Sequence, residues 1–355
     1  MLYALCILFE TKNFTVNKYV EQTHYHPKRV LLMSKKILLI PDFPNWALDK
    51  NAKDLIKYNK SNLQLDICYG EDFFKNWKTY YNAYDLLFPM YMGTFFSILK
   101  KKIPTDKVVT GIRSFHRWDK HKTQPPGYNT KPPKSILNKL KNALLLNTHC
   151  QKLWYIFQTY LPIIHTKYTC DLEIFYPEKK KRQNKKLVVG WTGSLTNHPG
   201  KRGFFEFIKP ICDEIPGFEL KVQAKEDKFI TNDNQMRYFY NSLDLYFCAS
   251  RSEGTPRPVI EAAGCGVPVI STDVGIVPEL IEDGINGFIV KRDYETIKQA
   301  LIKIVDEQEK LSEMGKAIRQ KMEQQFNWNN LIHQWTDFFK YALELYRLKQ
   351  QGNIK

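Results

Sequence analysis

Along the second half of the chain, short apolar runs bounded by polar turns alternate with stretches of helical apolar spacing. Lys185–Leu195, Phe218–Gln223, Asp244–Ser250 and Val267–Thr272 read as strands. Phe204–Ile215 and Arg237–Asn241 carry apolar residues at helical spacing between them. The first half repeats this order less clearly, with strands predicted at Lys35–Ile40, Ala83–Phe88 and Lys107–Gly111. Strands that are apolar throughout, separated by helices, imply an α/β chain with parallel sheets covered on both faces. Ligands of such sheets bind at the carboxyl ends of the strands, where Gly193, Glu253 and Thr272 are expected to gather.

The densest chemistry follows the strand Asp244–Ser250. Glu253 and Glu261 lie with seven residues between them, across a turn that opens a helix. Thr255 is predicted as its N-cap, with Pro256 at the first helical position, where a missing N–H costs nothing. The N–H groups around Gly254, Thr255 and Arg257, with the positive end of the helix dipole, then suit a diphosphate. Glu261 falls one helical turn after Arg257 on the same face and points back to that site, positioned for ribose hydroxyls. Glu253, at the strand end, faces the sugar. A Glu at a helix start also serves as plain dipole compensation, so the pair alone does not identify a site.

The pattern continues through Gly264-x-Gly266, Val274–Ile281 and Asp283–Val290. This run of about forty residues resembles the donor-binding half of the retaining, GT-B-fold family of nucleotide-sugar glycosyltransferases (group 1, family 4-like), whose signature is this pair of Glu residues at this spacing. The resemblance implies a GT-B fold, two Rossmann-like parallel-sheet domains facing a cleft. It also implies transfer of a sugar from a nucleotide-diphosphate sugar to a hydroxyl of a glycan, glycolipid or other glycoconjugate, with retention. Relatives carry an Arg just after the loop Gly, here Gly193, and a Lys-Gly pair at the next helix start. Here Ser194 stands at the first position and Arg202-Gly203 at the second, with Lys201 beside it as a replacement cation or as an ordinary solvated charge. The implied donor-binding set is Gly193, Ser194, Lys201, Arg202, Gly254, Thr255, Arg257 and Glu261, with Glu253 catalytic. Relatives also place a catalytic-site His after the strand corresponding to Lys107–Gly111. Ile112 and Arg113 occupy that place here, and His116 is the nearest candidate. The chain carries no Asp-x-Asp motif, so the expectation is a metal-independent reaction without cofactor. A same-fold phosphorylase and a non-catalytic sugar-nucleotide-binding protein stay open, the latter favoured by the missing Arg at Ser194.

Length adds a division into domains. The 355 residues suit two domains, and 43% hydrophobic with 14% aromatic content supplies two cores. The reading assigns 33–178 to the acceptor side, 179–186 to a basic linker, 187–326 to the donor side and 327–355 to a C-terminal helix packing back on the first domain. Met33 immediately precedes the first strand, so residues 1–32 are either an N-terminal extension upstream of the natural start or an added edge element. Seven scattered Cys without a Cys-x-x-Cys pair indicate neither a disulfide framework nor a zinc site and fit a reducing cytoplasm. No apolar stretch is long enough to span a bilayer. The net charge of +16 is locally densest at 113–141, where Arg113, Arg117, Lys120, Lys122, Lys131, Lys134, Lys139 and Lys141 face only Asp119. This segment is a candidate for peripheral docking on an anionic membrane or a phosphate-bearing lipid-linked acceptor, against general compositional drift toward Lys. Nucleic acid is not expected, since no binding motif accompanies the charge.

Overall fold

A computed structural model describes residues 34–115, 123–178, 186–197, 199–227 and 230–353. Eleven strands among them, all paired in parallel, form two layered α/β units. In the first unit, β1 (Lys35–Ile40) lies between β2 (Leu63–Ile67) and β3 (Leu86–Pro89), and β5 (Leu145–Thr148) lies between β4 (Val109–Ile112) and β6 (Ile163–His165). A parallel bridge between Leu87 and Val108, with Leu87 N–H donating to Lys107 O at 3.0 Å, joins the two triplets. In the second unit the order is β11 (Gly287–Val290), β10 (Val269–Thr272), β9 (Leu245–Cys248), β7 (Leu187–Gly193), β8 (Phe218–Ala224). The central strands β3, β4, β5, β9 and β10 are buried at every position, as continuous apolar runs require when helices cover both faces.

Element boundaries differ from the sequence pattern in several places. The predicted strand Ala83–Phe88 begins only at Leu86, because Trp77–Ala83 completes a helix whose Trp77, Tyr80 and Tyr81 pack partly buried against the core. The strand expected at Lys107–Gly111 runs from Val109 to Ile112. The helix expected at Arg237–Asn241 starts at Asp233, because the Asn232 side chain accepts from the N–H groups of Asn234 and Gln235 and so satisfies its first turn.

Two elements bind the units together. The helix Trp328–Gln350 leaves the second unit and lies against the first, burying Trp328, Leu331, Trp335, Phe338, Phe339 and Ala342 at three- and four-residue intervals. Phe88 of β3 meets Trp335, Phe338 and Phe339 with ring centroids 6.2, 5.9 and 5.6 Å away. Burial of each such ring contributes about 1.5–3 kcal/mol. A polar seam supplements it: Lys152 Nζ donates to Asp273 O at 2.9 Å and Oδ1 at 2.7 Å, Gln124 and Arg292 exchange two bonds, and Glu279 accepts from Gln151 N–H at 2.7 Å. The six cysteines among the described residues are buried and unpaired. No described helix is long and apolar enough to cross a membrane.

The seam has a pH signature. Burial raises the Glu279 carboxyl from 4.5 to about 7, with the Gln151 N–H bond and Lys167 opposing. The folded chain therefore keeps a proton there that the unfolded chain has lost. Stability from this group falls as pH rises from about 4.5 to about 7, and the full penalty stands above that range. Glu279→Gln, which keeps a carbonyl acceptor for Gln151, is expected to raise Tm over the parent at pH 8 and not at pH 4. Thermal melts at the two pH values check this, and an equal gain at both would contradict it.

Candidate functional site

Strand order in the second sheet reverses at β7: the chain moves outward to β8, then returns to place β9 on the other side. Helices diverge at such a point and leave a crevice at the carboxyl ends of the strands. A cavity of about 300 Å³ lies there. Gly193, Ser194, Arg202, Glu253, Thr255, Arg257 and Glu261 line it, together with Trp46 and Lys50 from the first unit. Lys201, Gly254 and Thr272 are not in its wall; Thr272 Oγ1 instead donates to Ser250 O and ties the end of β10 to that of β9. His116 lies outside the described residues.

Arg202 is aimed by the glycine after it. Gly203 has φ 72°, and a Cβ there would sit 2.6 Å from Ala249 O, so the turn closes only with glycine. Arg202 Nη1 comes to 3.9 Å from Glu253, which accepts a 3.3 Å bond from Ser250 Oγ. Burial pushes the Glu253 carboxyl above its ordinary value, while Arg202, Ser250 and Lys201 pull it down. The outcome is a half-enclosed carboxylate beside a cation.

The start of the next helix differs from expectation. The helix spans Arg257–Gly264, with Pro256 flanking it at ψ 102° and Pro258 in its first turn. Thr255 makes no side-chain cap; its hydroxyl is buried without a bonded partner. Pro256 cannot be the first helical residue because its ψ is extended. Pro258 has no N–H to offer, and that of Val259 goes to Pro256 O. Fewer main-chain donors therefore face an anion here than the pattern implies. Gly254 serves a different purpose: a Cβ would fall 1.9 Å from Arg113 O, so its bareness lets the first unit close on this turn.

Arg257 points away from an anion site. Its buried guanidinium donates from Nε to Glu261 and from Nη1 to Tyr168 OH, with Asp54 at 3.9 Å and Asp233 at 3.8 Å. The other Glu261 oxygen accepts from Tyr240 OH at 2.8 Å. Glu261 is thus fixed on the cavity wall by two donors. Ser194 is likewise engaged, donating to Glu226, which also accepts from Leu195 N–H, Thr196 N–H and Thr196 Oγ1. These donors hold the Glu226 carboxyl far below the usual carboxylate range.

From the first unit, Trp46 and Lys50 close the cavity: Lys225 Nζ lies 4.1 Å from the Trp46 ring centroid, and Lys50 pairs with Asp233. Arg113, where relatives place a His, is buried; it donates to Met90 O and Asn147 Oδ1 at 2.8 Å each, and burial lowers its pKa to about 9. It is therefore not part of a basic surface on 113–141. Tyr240, Tyr168, Glu226 and Lys50 escaped sequence reasoning, since each reaches the site from an element whose local pattern is only structural.

Residues 219–321 match the model of the family "Glycosyl transferases group 1". The fold is GT-B. Across 87% of its length the chain superposes on 99% of sucrose-phosphate synthase from Thermosynechococcus elongatus, with TM-score 0.67 and 14% identity. It superposes across 86% on 99% of Anabaena HepE in complex with UDP-glucose, with TM-score 0.63 and 15% identity. What the chain shares with the group 1 glycosyl transferases is this matching segment and the GT-B fold. Among curated relatives, spore coat protein SA of Bacillus subtilis is 35% identical over 96 residues, 26% of this chain and 25% of that protein. The Staphylococcus aureus capsular polysaccharide biosynthesis glycosyltransferase CapM is 23% identical over 200 residues, 49% of this chain and 52% of that protein. The matches thus span about a quarter to a half of these relatives. Glu253 and Glu261 thus both reach one cavity.

Tyr240→Phe removes one of the two bonds to buried Glu261 without changing ring volume. The variant is expected to lose about 1–2 kcal/mol of stability, the cost of under-satisfying a buried carboxylate. Urea unfolding checks it, and parental stability would contradict the contact.

Proposed function

We propose that the chain transfers a sugar from a nucleoside-diphosphate donor to a hydroxyl acceptor, retaining anomeric configuration and using neither metal nor cofactor. The observation that carries this reading is the convergence of Glu253, Glu261 and Arg202 on one interdomain cavity at the sheet reversal. Departure of the nucleoside diphosphate builds negative charge on its phosphate, and preorganised positive groups aimed there are the largest catalytic contribution in many enzymes. Arg202, with Lys201 beside it and the main-chain N–H groups of the turn, supplies that charge. Glu253, beside Arg202, orients the sugar hydroxyls and favours the oxocarbenium-like state. Glu261, held by Arg257 and Tyr240, keeps acceptor capacity on both oxygens for ribose. UDP-glucose is the first donor to test, since HepE is seen with it. A non-catalytic nucleotide-sugar binder is the competing reading, favoured by Ser194 standing where relatives carry an Arg and by the Glu226 carboxylate that it holds.

Kinetics separate the two glutamates. Contact with ribose is similar in ground and transition states, so Glu261→Ala should raise donor KM more than it lowers kcat. Glu253→Gln acts on the reacting sugar and should lower kcat by about two orders of magnitude with donor binding nearly preserved. Turnover by Glu253→Gln at the parental rate would overturn the catalytic assignment. An absence of turnover with donor still bound by the parent would favour the binder.

The acceptor side is proposed to meet an anionic membrane. Lys131, Lys134, Lys139 and Lys141 are all exposed on and around the helix Lys134–Leu140, whereas Arg117, Lys120 and Lys122 lie outside the described residues. Charge reversal at Lys131, Lys134 and Lys139 should abolish salt-sensitive binding to anionic vesicles while sparing donor hydrolysis. Equal binding of the parent to neutral and anionic vesicles would refute it.

A further inference from the structure

The loop that follows β7 holds a carboxylate. Glu226 Oε1 accepts from Ser194 Oγ at 2.5 Å, Thr196 Oγ1 at 2.7 Å and Thr196 N–H at 3.2 Å, and Oε2 accepts from Leu195 N–H at 2.9 Å. The single Ser194 proton is committed to Glu226, so the oxygen is left to accept, and it takes Asn197 N–H at 2.8 Å. Asn197 O in turn accepts from Arg202 Nε at 3.4 Å, and Arg202 Nη1 reaches to 3.9 Å from Glu253. Each link fixes the direction of the next, and a charge at one end polarises the chain. The loop is short and edges the cavity, so tilting the peptide at Asn197 redirects the guanidinium across it.

We propose that Glu226 is a positioning residue that acts through Ser194 and Asn197 to set the Arg202 guanidinium against the donor diphosphate. This inference deepens the transferase reading and rests on it. Ser194 is then a relay adapted to hold Glu226, and the loop supplies orientation where a loop Arg would supply charge. Glu226 sets a negative charge against the loop after β7, so Arg202 must be held accurately for the cavity to favour an anion.

A double-mutant cycle tests the relay, with UDP binding by calorimetry, kcat and KM on the donor, and Tm read together. Glu226→Ala is expected to weaken UDP binding and lower kcat by about tenfold, and to add nothing in an Arg202→Ala background, since coupled groups are non-additive. Glu226→Asp should recover part of the loss. If Glu226→Ala does not fold, Ser194→Ala breaks the same relay and enters the same cycle. A merely structural role would multiply the losses in the double variant and track Tm, and that result overturns the proposal, as does parental UDP binding by Glu226→Ala. A parent that binds no nucleoside diphosphate removes the transferase reading itself; a parent that binds it with multiplicative losses removes the relay alone.

Discussion

One buried guanidinium, that of Arg257, is the contact on which cavity and seam both depend. An unpaired charge in this position would cost several kcal/mol, so its surroundings must supply partners from both units. They do: Glu261 and Asp233 come from the second unit, Asp54 from the helix Ala47–Tyr58 of the first, and Tyr168 from the crossover between them. The same group therefore fixes a signature glutamate and ties the units across the cleft. Asp54 shows the strain of this arrangement. Burial raises its carboxyl to about 7, with Asp171 and Asp233 adding to the rise and Arg257 opposing it.

Around that contact the cavity acquires two chemically distinct ends. At one end Glu261, bonded by Tyr240 and Arg257, forms a wall suited to a neutral hydroxylated group. At the other, Arg202 and Glu253 face each other at 3.9 Å, close enough to interact as opposite charges. The first unit adds little chemistry to the donor end beyond the Trp46 and Lys50 edge, but Gly254 lets its Arg113 carbonyl approach. Closure and cavity are thus one structure.

How much of this was legible in the chain depends on the range of the interaction. The placing of Glu253, Glu261 and Arg202 rested on what the family resemblance implies, whereas the parallel α/β alternation and the strand ends were readable because each follows from local periodicity. The cap at Thr255 was not, because two prolines two residues apart shift the helix start and remove N–H donors together. Nor was the Arg257 side chain, whose direction is set by Tyr168, Asp54 and Asp233, none of them near it in sequence.

By itself the sequence determined the fold class and the pair of glutamates, since burial pattern, helix spacing and turn chemistry act over a few residues. Tertiary structure alone decided what each charged group does. Ser194 donates to Glu226, Arg113 turns inward, and Arg257 serves the seam. The physical reason is that a charge leaving water takes whichever opposite charge or dipole the packed chain brings within about 4 Å, and those partners come from segments that only folding makes neighbours.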